Sequence, residues 1–226
     1  AAQEAQESKD TPTPTATSSS EKKLAPVISP LRVVQRTANF RRLGKKIVFK
    51  YPKLVGGDST TCAAINKIIQ KTMNENAYED LVSIEFDKAF IDNVCFSTAL
   101  KFYRRGGVHE NGFYQPINYR IKPTVKKMTI SDFFGKKIDT EKLSKLVAKK
   151  IAEEKKNTSD TEEQLYETLK SRESAFDNYA FDKTGVSFTF CQLTCEAFGV
   201  QSFNFSYSEL RPLFGKSSAV FKYVKR

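Results

Sequence analysis

The strongest constraint on the fold is a pair of adjacent segments, residues 82–90 and 94–103, in which apolar and polar side chains alternate. Alternation with a period of two is typical of a β-strand that buries one face. Asp92-Asn93 lies between the segments and favours a tight turn. A third strand is predicted over residues 113–121, so the three segments predict an antiparallel meander. The alternating residues are Val82, Ile84 and Phe86 in the first strand and Phe96, Thr98, Leu100 and Phe102 in the second.

The strand pattern extends to both sides of this meander. Residues 33–51 predict a β-hairpin with a turn near Gly44, and Pro52 is expected to stop its second strand. Towards the C-terminus, residues 186–190 and 203–205 predict further strands, residues 207–210 a short helical turn and residues 219–224 a last strand.

Three segments have the apolar spacing of amphipathic helices. The first follows a loop in which Asp58 and Ser59 are candidate N-caps, and its stripe comprises Ile65, Ile68, Ile69 and Met73. The second covers residues 139–154. The third covers residues 159–171, where Ser159 and Glu162 have the spacing of a capping box. Strands and helices in blocks predict an α+β fold, with antiparallel or mixed sheets packed against a few amphipathic helices.

Composition divides the chain into parts. Residues 1–20 contain no large apolar side chain, so we expect residues 1–26 to be a disordered tether after a removed signal or lipid anchor. The remaining stretch of about 200 residues is long enough for a substantial core. We expect two closely packed sub-domains, residues 33–135 and 136–226. No run approaches the roughly 18–20 consecutive apolar residues that span a bilayer, so no membrane span is predicted.

The net charge of +11 at pH 7 constrains the class of partner. The tether holds three lysines and four acidic residues, so the positive charge belongs to the rest of the chain. Excess positive charge favours anionic partners such as wall polymers, phospholipid or nucleic acid, although scattered lysines also serve solubility. Nucleic acid is disfavoured, because Phe and Tyr alternate as core residues do and no ribonucleoprotein-type motif is present.

The four cysteines, Cys62, Cys95, Cys191 and Cys195, leave three alternatives open. An even number in an exported chain favours one or two disulfides, and buried thiols are the second alternative. A metal site is the weakest, because the spacing of Cys191 and Cys195 does not match a zinc knuckle and the chain has one histidine. We therefore predict no metal, and no cofactor either, since nucleotide-binding and calcium-loop motifs are missing.

The best candidate ligand-binding cluster is the loop between the second and third strands of the meander. Arginine suits this role because it binds carboxylate or phosphate through two parallel hydrogen bonds. The histidine of the loop could act as an acid or base only with a partner at hydrogen-bond distance, and no nucleophile motif accompanies it. Binding is therefore the prediction, with the turn at residues 191–199 completing the surface. The candidates are Arg104, Arg105, Gly106, Gly107, His109 and Tyr114.

A series of short motifs follows in order between about residues 35 and 214. Its first part comprises Tyr51-Pro52-Lys53-Leu54, Ile65-Asn66-Lys67-Ile68, Gly106-Gly107-Val108-His109, Pro116-Ile117-Asn118-Tyr119 and Ile130-Ser131-Asp132-Phe133-Phe134. Its second part comprises residues 186–190, Gly199 and Ser206-Tyr207-Ser208-Glu209-Leu210-Arg211-Pro212-Leu213. The series resembles the paired extracytoplasmic domains of the RsiV anti-sigma factor and of the N-terminal region of the PdaC peptidoglycan deacetylase. Cys191-Gln192 stands where the second domain has Tyr-Glu.

This resemblance implies a binding domain, because the deacetylase activity of PdaC lies in a separate domain. It also implies lysozyme as a candidate partner, since the RsiV domain binds lysozyme, although common lysozymes are basic and like charges oppose their approach. We predict a non-enzymatic periplasmic, secreted or surface-anchored protein that recognises a protein such as lysozyme or an anionic wall polymer. The alternative is an enzyme or accessory domain that acts on peptidoglycan glycans with His109 as acid or base.

Overall fold

The computed structural model describes residues 29–42, 45–105, 111–154, 160–172, 174–191 and 200–224. The predicted tether, residues 1–26, lies outside these ranges. In order along the chain, the elements are β1 (Arg32–Arg42), β2 (Lys45–Val55), α1 (Ser59–Glu75), β3 (Leu81–Ile91), β4 (Cys95–Arg104), β5 (Asn111–Arg120), β6 (Lys126–Lys127), α2 (Ile130–Phe134), α3 (Thr140–Glu154), α4 (Glu162–Ser171), β7 (Tyr179–Phe181), β8 (Gly185–Cys191), β9 (Val200–Ser206), a 3-10 helix (Arg211–Leu213) and α5 (Phe221–Val224).

The described strands form a six-stranded sheet in the order β1-β2-β3-β4-β5-β6 and a three-stranded sheet in the order β7-β8-β9. The predicted meander is confirmed, since β3, β4 and β5 are antiparallel neighbours. β2 and β3 run parallel, because α1 carries the chain between them. The sheets and helices confirm the α+β class, while the predicted division of the chain near residue 135 stays a prediction. No helix within the described ranges is long and apolar enough to cross a membrane.

Helix α1 covers one face of the large sheet. Ile65, Ile69 and Met73 are buried, as the helical spacing predicts. Asp58 caps the helix by accepting the Thr61 N–H at 2.6 Å, so Asp58 is confirmed as the N-cap. The helix and sheet enclose one of the two hydrophobic cores found among the described residues. The strand residues that are completely buried in this core include Ile84, Phe96, Leu100 and Phe102.

Strand β2 does not stop at Pro52 but continues to Val55, so the predicted strand end is wrong. β2 lies beside β3 at Val48 and Phe49, whereas its neighbour at Pro52 is β1, through Gln35. A strand with a neighbour on one side can lack an N–H without losing a ladder hydrogen bond, and proline is tolerated at such edges.

Strand β3 carries two shifts of register, one between Leu81 and Ser83 and one between Phe86 and Ala89. The first shift explains why Val82 is 42% exposed, so the prediction that it shares the buried face of Ile84 is wrong. A bulge adds one residue to a strand and breaks the period of two, which sequence alternation alone does not reveal.

The small sheet packs its aromatic face against α3 and α4. The predicted alternation is confirmed, because Val186, Phe188, Phe190, Phe203 and Phe205 are all buried in the second core. Helix α4 begins at Glu162 and is capped by Thr161, whose side chain accepts the Gln164 N–H while the Gln164 side chain accepts the Thr161 N–H. The predicted capping box at Ser159 and Glu162 is therefore wrong by two residues. Glu162 instead occupies the first turn, where its negative charge suits the helix dipole.

Residues 219–224 do not form the predicted strand, since the chain there enters the short helix α5. Val220, just before α5, and Val224, at its end, are both buried in the second core. Asp92, in the turn between β3 and β4, accepts Lys222 Nζ at 2.7 Å and the Tyr223 hydroxyl at 2.8 Å. Burial alone would raise the pKa of Asp92, but its hydrogen bonds, that from Lys222 foremost, outweigh burial and lower the pKa.

Candidate functional site

The face of the large sheet opposite α1 carries a row of cross-strand pairs from β4 and β5. Directly opposite residues in an antiparallel ladder point to the same face. The first pair of the row is buried, and the two pairs that follow are half-buried. In this order the pairs are Ser97–Asn118, Ala99–Pro116 and Lys101–Tyr114.

Ser97 and Asn118 join the two sheets through buried hydrogen bonds. Ser97 Oγ donates to Asn118 Oδ1 at 2.7 Å and accepts the Phe181 N–H at 2.8 Å. Asn118 Nδ2 donates to the Tyr179 carbonyl oxygen at 2.6 Å. Ser97 is 1% exposed and Asn118 is 4% exposed. Hydrogen bonds that are shielded from water in this way hold strand β7 firmly against β4 and β5.

Next to this junction the sheets enclose a cleft of about 410 Å³. Such a volume lies within the range of about 300–1,000 Å³ that is typical of small-molecule sites. The turn between β7 and β8 also lines the cleft, through Asp182 and Thr184. The large sheet contributes Asp87, Lys88, Ala99 and Tyr114, and the small sheet contributes Ala180, Ser187, Thr189, Ser202 and Asn204 among others.

The polar wall of the cleft follows from the alternation in β8 and β9. The aromatic residues of these strands point into the second core, so the residues between them point towards the large sheet. Ser187 is paired with Asn204 and Thr189 with Ser202, and the last two hydroxyl oxygens are 2.9 Å apart. β8 starts at Gly185, where an added Cβ would lie 2.0 Å from the carbonyl oxygen of the facing strand, so glycine is required there.

A bulge in β3 brings charged residues to the opposite wall. The second shift of register lies between Phe86 and Ala89 and leaves Asp87 and Lys88 outside the ladder. Bulges often re-aim side chains in this way beside functional sites. Lys88 Nζ is 3.8 Å from Asp182 Oδ2, so the pair bridges the two sheets. The Lys88 side chain is 78% exposed, and solvent screening leaves such a pair little effect on stability.

Asp182 and Tyr114 have different protonation states at neutral pH. Asp182 Oδ1 accepts the N–H groups of Thr184 at 2.6 Å and Gly185 at 3.2 Å. Burial alone would raise the pKa of Asp182, but its hydrogen bonds outweigh burial and lower the pKa. Burial raises the pKa of the Tyr114 phenol more than the nearby Lys101 ammonium lowers it. The cleft therefore presents a stable carboxylate and a neutral phenol that can donate a hydrogen bond.

The structure separates the residues of the predicted binding loop, because Tyr114 lines the cleft and Arg104 does not. The Arg104 guanidinium lies between two rings, 4.1 Å from the centroid of Tyr78 and 4.6 Å from that of Phe113. Its Nε is 3.9 Å from a carboxylate oxygen of Asp80. These contacts engage Arg104 within the protein, so a role in ligand binding stays a prediction. Arg105 is exposed, and Gly106, Gly107 and His109 lie outside the described residues.

Cys62 and Cys95 carry free thiols, so neither forms the disulfide that was one alternative. Cys62 Sγ donates to the Gly56 carbonyl oxygen at 2.8 Å, Cys95 is completely buried, and burial raises the pKa of both thiols. The side chain of Cys191 and all of Cys195 lie outside the described residues. Within the part of the chain that the structure describes, no group of three or more His, Cys, Asp and Glu side chains could hold a metal ion.

Sequence reasoning missed most of the cleft. The polar residues of β8 and β9 have the pattern of a solvent-facing side, and a period of two does not tell whether that side faces another sheet. Asp87 and Lys88 stand in a bulge, which alternation conceals. One usable signal was present: Ser97 and Ala99 are small residues on the face of β4 opposite Phe96, Leu100 and Phe102, and small side chains permit another strand to approach closely.

No family model matches the sequence, and no curated protein matches it. The fold is similar to the crystal structure of a DUF3298 family protein from Pseudomonas aeruginosa PAO1, with a TM-score of 0.53 and 11% sequence identity. The similarity covers 84% of this chain and 96% of that one. That protein is described by its family alone, so the likeness concerns the fold and carries no activity. The resemblance to the RsiV and PdaC domains stays a prediction.

Proposed function

We propose that this protein is a non-enzymatic extracytoplasmic binding domain, which holds part of a cell-envelope polymer in the cleft between its two sheets. The observation that carries the proposal is the cleft of about 410 Å³ beside the rigid Ser97–Asn118 junction. A site on such a junction keeps its shape without its ligand, and preformed sites lose less conformational entropy on binding. The extracytoplasmic location is part of this proposal and is supported by the resemblance described above.

The size of the cleft favours a polymer segment over a folded protein such as lysozyme. Protein–protein interfaces bury roughly 1,200–2,000 Å² over broad surfaces, whereas this cleft has the volume of a small-molecule site. A polymer chain can insert a short segment and repeat the contact along its length. Like charge also opposes lysozyme, because both proteins would be basic.

The chemistry of the cleft does not suit Asp182 to the role of a general acid. Asp182 accepts several hydrogen bonds from its own turn, and its lowered pKa keeps the carboxyl ionised at neutral pH. A general acid needs the opposite arrangement, in which the pKa is raised towards the working pH. The other alternative, acid–base catalysis by His109, stays a prediction on a residue outside the described ranges.

The test is co-sedimentation of the full chain with insoluble peptidoglycan, in parallel with retention on immobilised lysozyme. Ser202→Trp places a bulky ring on an exposed position of the cleft wall, and Thr37→Trp is the matched control on an exposed position of β1. We expect the wild type and Thr37→Trp to sediment with the wall, and Ser202→Trp to remain in the supernatant.

The proposal would be overturned by equal sedimentation of both variants, which would place the contact outside the cleft. Retention on lysozyme with no sedimentation would also overturn it, in favour of a protein partner. His109→Ala separates binding from catalysis, since we expect the variant to sediment like the wild type. Release of soluble fragments from the wall by the wild type but not by His109→Ala would establish the enzymatic alternative.

A further inference from the structure

We propose that the cleft binds an uncharged segment of glycan that carries hydroxyl and amide groups, rather than an anionic stretch of polymer. This inference rests on the proposed function, because it names the chemical class of the ligand for the same cleft. The overall positive charge of the chain favours an anionic polymer, but the charged residues near the cleft favour an uncharged ligand.

The polar wall consists of neutral groups that can both donate and accept hydrogen bonds. Ser187 and Asn204 face each other across β8 and β9, and Thr189 and Ser202 form the next pair. A hydroxyl donates one hydrogen bond and accepts two, and an amide does both through separate atoms. Sugar hydroxyls and acetamido groups have the same dual capacity, so a row of such pairs matches a saccharide without any net charge.

The charges around the cleft do not suit an anion, although the whole chain carries +11. Among the described residues that line it, Asp87 and Asp182 are acidic and Lys88 is basic. Lys88 is already paired with Asp182, with 3.8 Å between nitrogen and oxygen. Lys101 lies beside Tyr114, with its Nζ 5.6 Å from the ring centroid, so the charges at and next to the cleft balance and offer an entering phosphate or carboxylate no net attraction.

The opposite wall supplies an aromatic ring with a neutral hydroxyl. Tyr114 lines the cleft, and its ring is held from one side by Lys101, whose Nζ lies 5.6 Å from the centroid. Lys101 is also 4.5 Å from the Tyr103 centroid, so the cation bridges two rings and restrains both. A tyrosine side chain pairs an apolar ring face with a polar hydroxyl tip, which suits a sugar ring that has both kinds of surface.

The experiment measures binding of the full chain to a tetrasaccharide of N-acetylglucosamine by titration calorimetry, with soluble poly(glycerol phosphate) as the anionic comparison. Asn204→Ala removes an exposed amide from the polar wall, Tyr114→Phe removes the phenol hydroxyl, and Asn39→Ala is the matched control on β1. We expect each cleft variant to weaken tetrasaccharide binding about five- to tenfold and Asn39→Ala to leave it unchanged. The wild-type affinity should not change between about 0.05 M and 0.5 M NaCl, because no ion pair is formed.

The outcomes separate this inference from the function on which it rests. If the full chain sediments with peptidoglycan but does not bind the tetrasaccharide, the neutral-glycan inference fails and the proposed function stands. If poly(glycerol phosphate) binds instead and salt weakens that binding, the ligand is anionic and the inference is wrong. If the tetrasaccharide binds equally to wild type, Asn204→Ala and Tyr114→Phe, its site is elsewhere, which also overturns it. If neither tetrasaccharide nor peptidoglycan binds, both proposals fail.

Discussion

Replacement of Asn118 tests the junction that positions the cleft. The Asn118 side chain accepts from Ser97 at 2.7 Å and donates to the Tyr179 carbonyl at 2.6 Å, at a site that is 4% exposed. Asn118→Ala removes both hydrogen bonds and leaves two polar partners buried. Each lost bond costs about 1 kcal/mol and each unsatisfied partner about 1–3 kcal/mol, with overlap between the two effects. We therefore expect a loss of about 3–5 kcal/mol in the free energy of unfolding, which is large for one substitution.

Asn118→Asp tests the direction of the hydrogen bonds. The introduced carboxyl can still accept the hydrogen bond from Ser97. When it is ionised, however, it places an acceptor oxygen against the Tyr179 carbonyl oxygen, which is also an acceptor. Its pKa in the folded state should therefore rise above the ordinary value of about 3.9. Because the folded pKa of the introduced carboxyl is raised, the variant protein keeps its stability at pH values below the unfolded pKa and loses stability as the pH rises through the folded pKa. Each unit of difference between the two pKa values costs about 1.4 kcal/mol at high pH.

The assay is urea unfolding followed by circular dichroism, between about pH 4 and pH 8, with the midpoint and slope compared among variants. Asn204→Ala and Asn204→Asp are the matched controls, because Asn204 is exposed on β9 and should change stability by no more than about 0.5 kcal/mol. A cost below about 1 kcal/mol for Asn118→Ala would refute the junction. A pH-independent difference between Asn118→Asp and the wild type would refute the assigned direction of the hydrogen bonds.

Three further predictions concern other contacts. Asp92→Asn should lower the free energy of unfolding by about 1–2 kcal/mol at neutral pH. Because the folded pKa of Asp92 is lowered, the stabilisation by its carboxylate is present above about pH 4 and is lost as the pH falls through the folded pKa. Urea titrations of the variant and the wild type should therefore converge in acid. Thr161→Ala should lower the free energy of unfolding by about 1 kcal/mol by removing the α4 cap, and Ser159→Ala should change it by nearly nothing. A larger loss for Ser159→Ala than for Thr161→Ala in chemical denaturation would support the capping box predicted from the sequence. Ile84→Ala should cost about 2–5 kcal/mol and Val82→Thr less than about 0.5 kcal/mol, and similar thermal shifts for both would contradict the bulge in β3.

Local sequence patterns were sufficient to predict those elements whose stabilising contacts lie within the element or next to it. The stripe of α1 and its cap at Asp58 are set by a spacing of three and four residues and by one side chain next to the first turn. The meander of β3, β4 and β5 follows from alternation and a two-residue turn. Local patterns failed where two signals competed, as at Thr161 and Ser159, or where a short apolar run fits a strand and a helix equally well, as at residues 219–224.

What the sequence by itself determined, then, is which residues share a face and therefore the α+β class. The tertiary structure decided what each face meets. Ser97 and Asn118 belong to a polar side that alternation assigns to water, and only the packing of β7 over β4 and β5 turns them into a buried junction. Likewise the hydroxyl row of β8 and β9 becomes one wall of a cleft only because a second sheet stands opposite. The physical reason is that a period of two encodes the direction of a side chain, whereas burial depends on contacts between residues 60 or more positions apart, such as Asn118 with Tyr179 and Ser97 with Phe181.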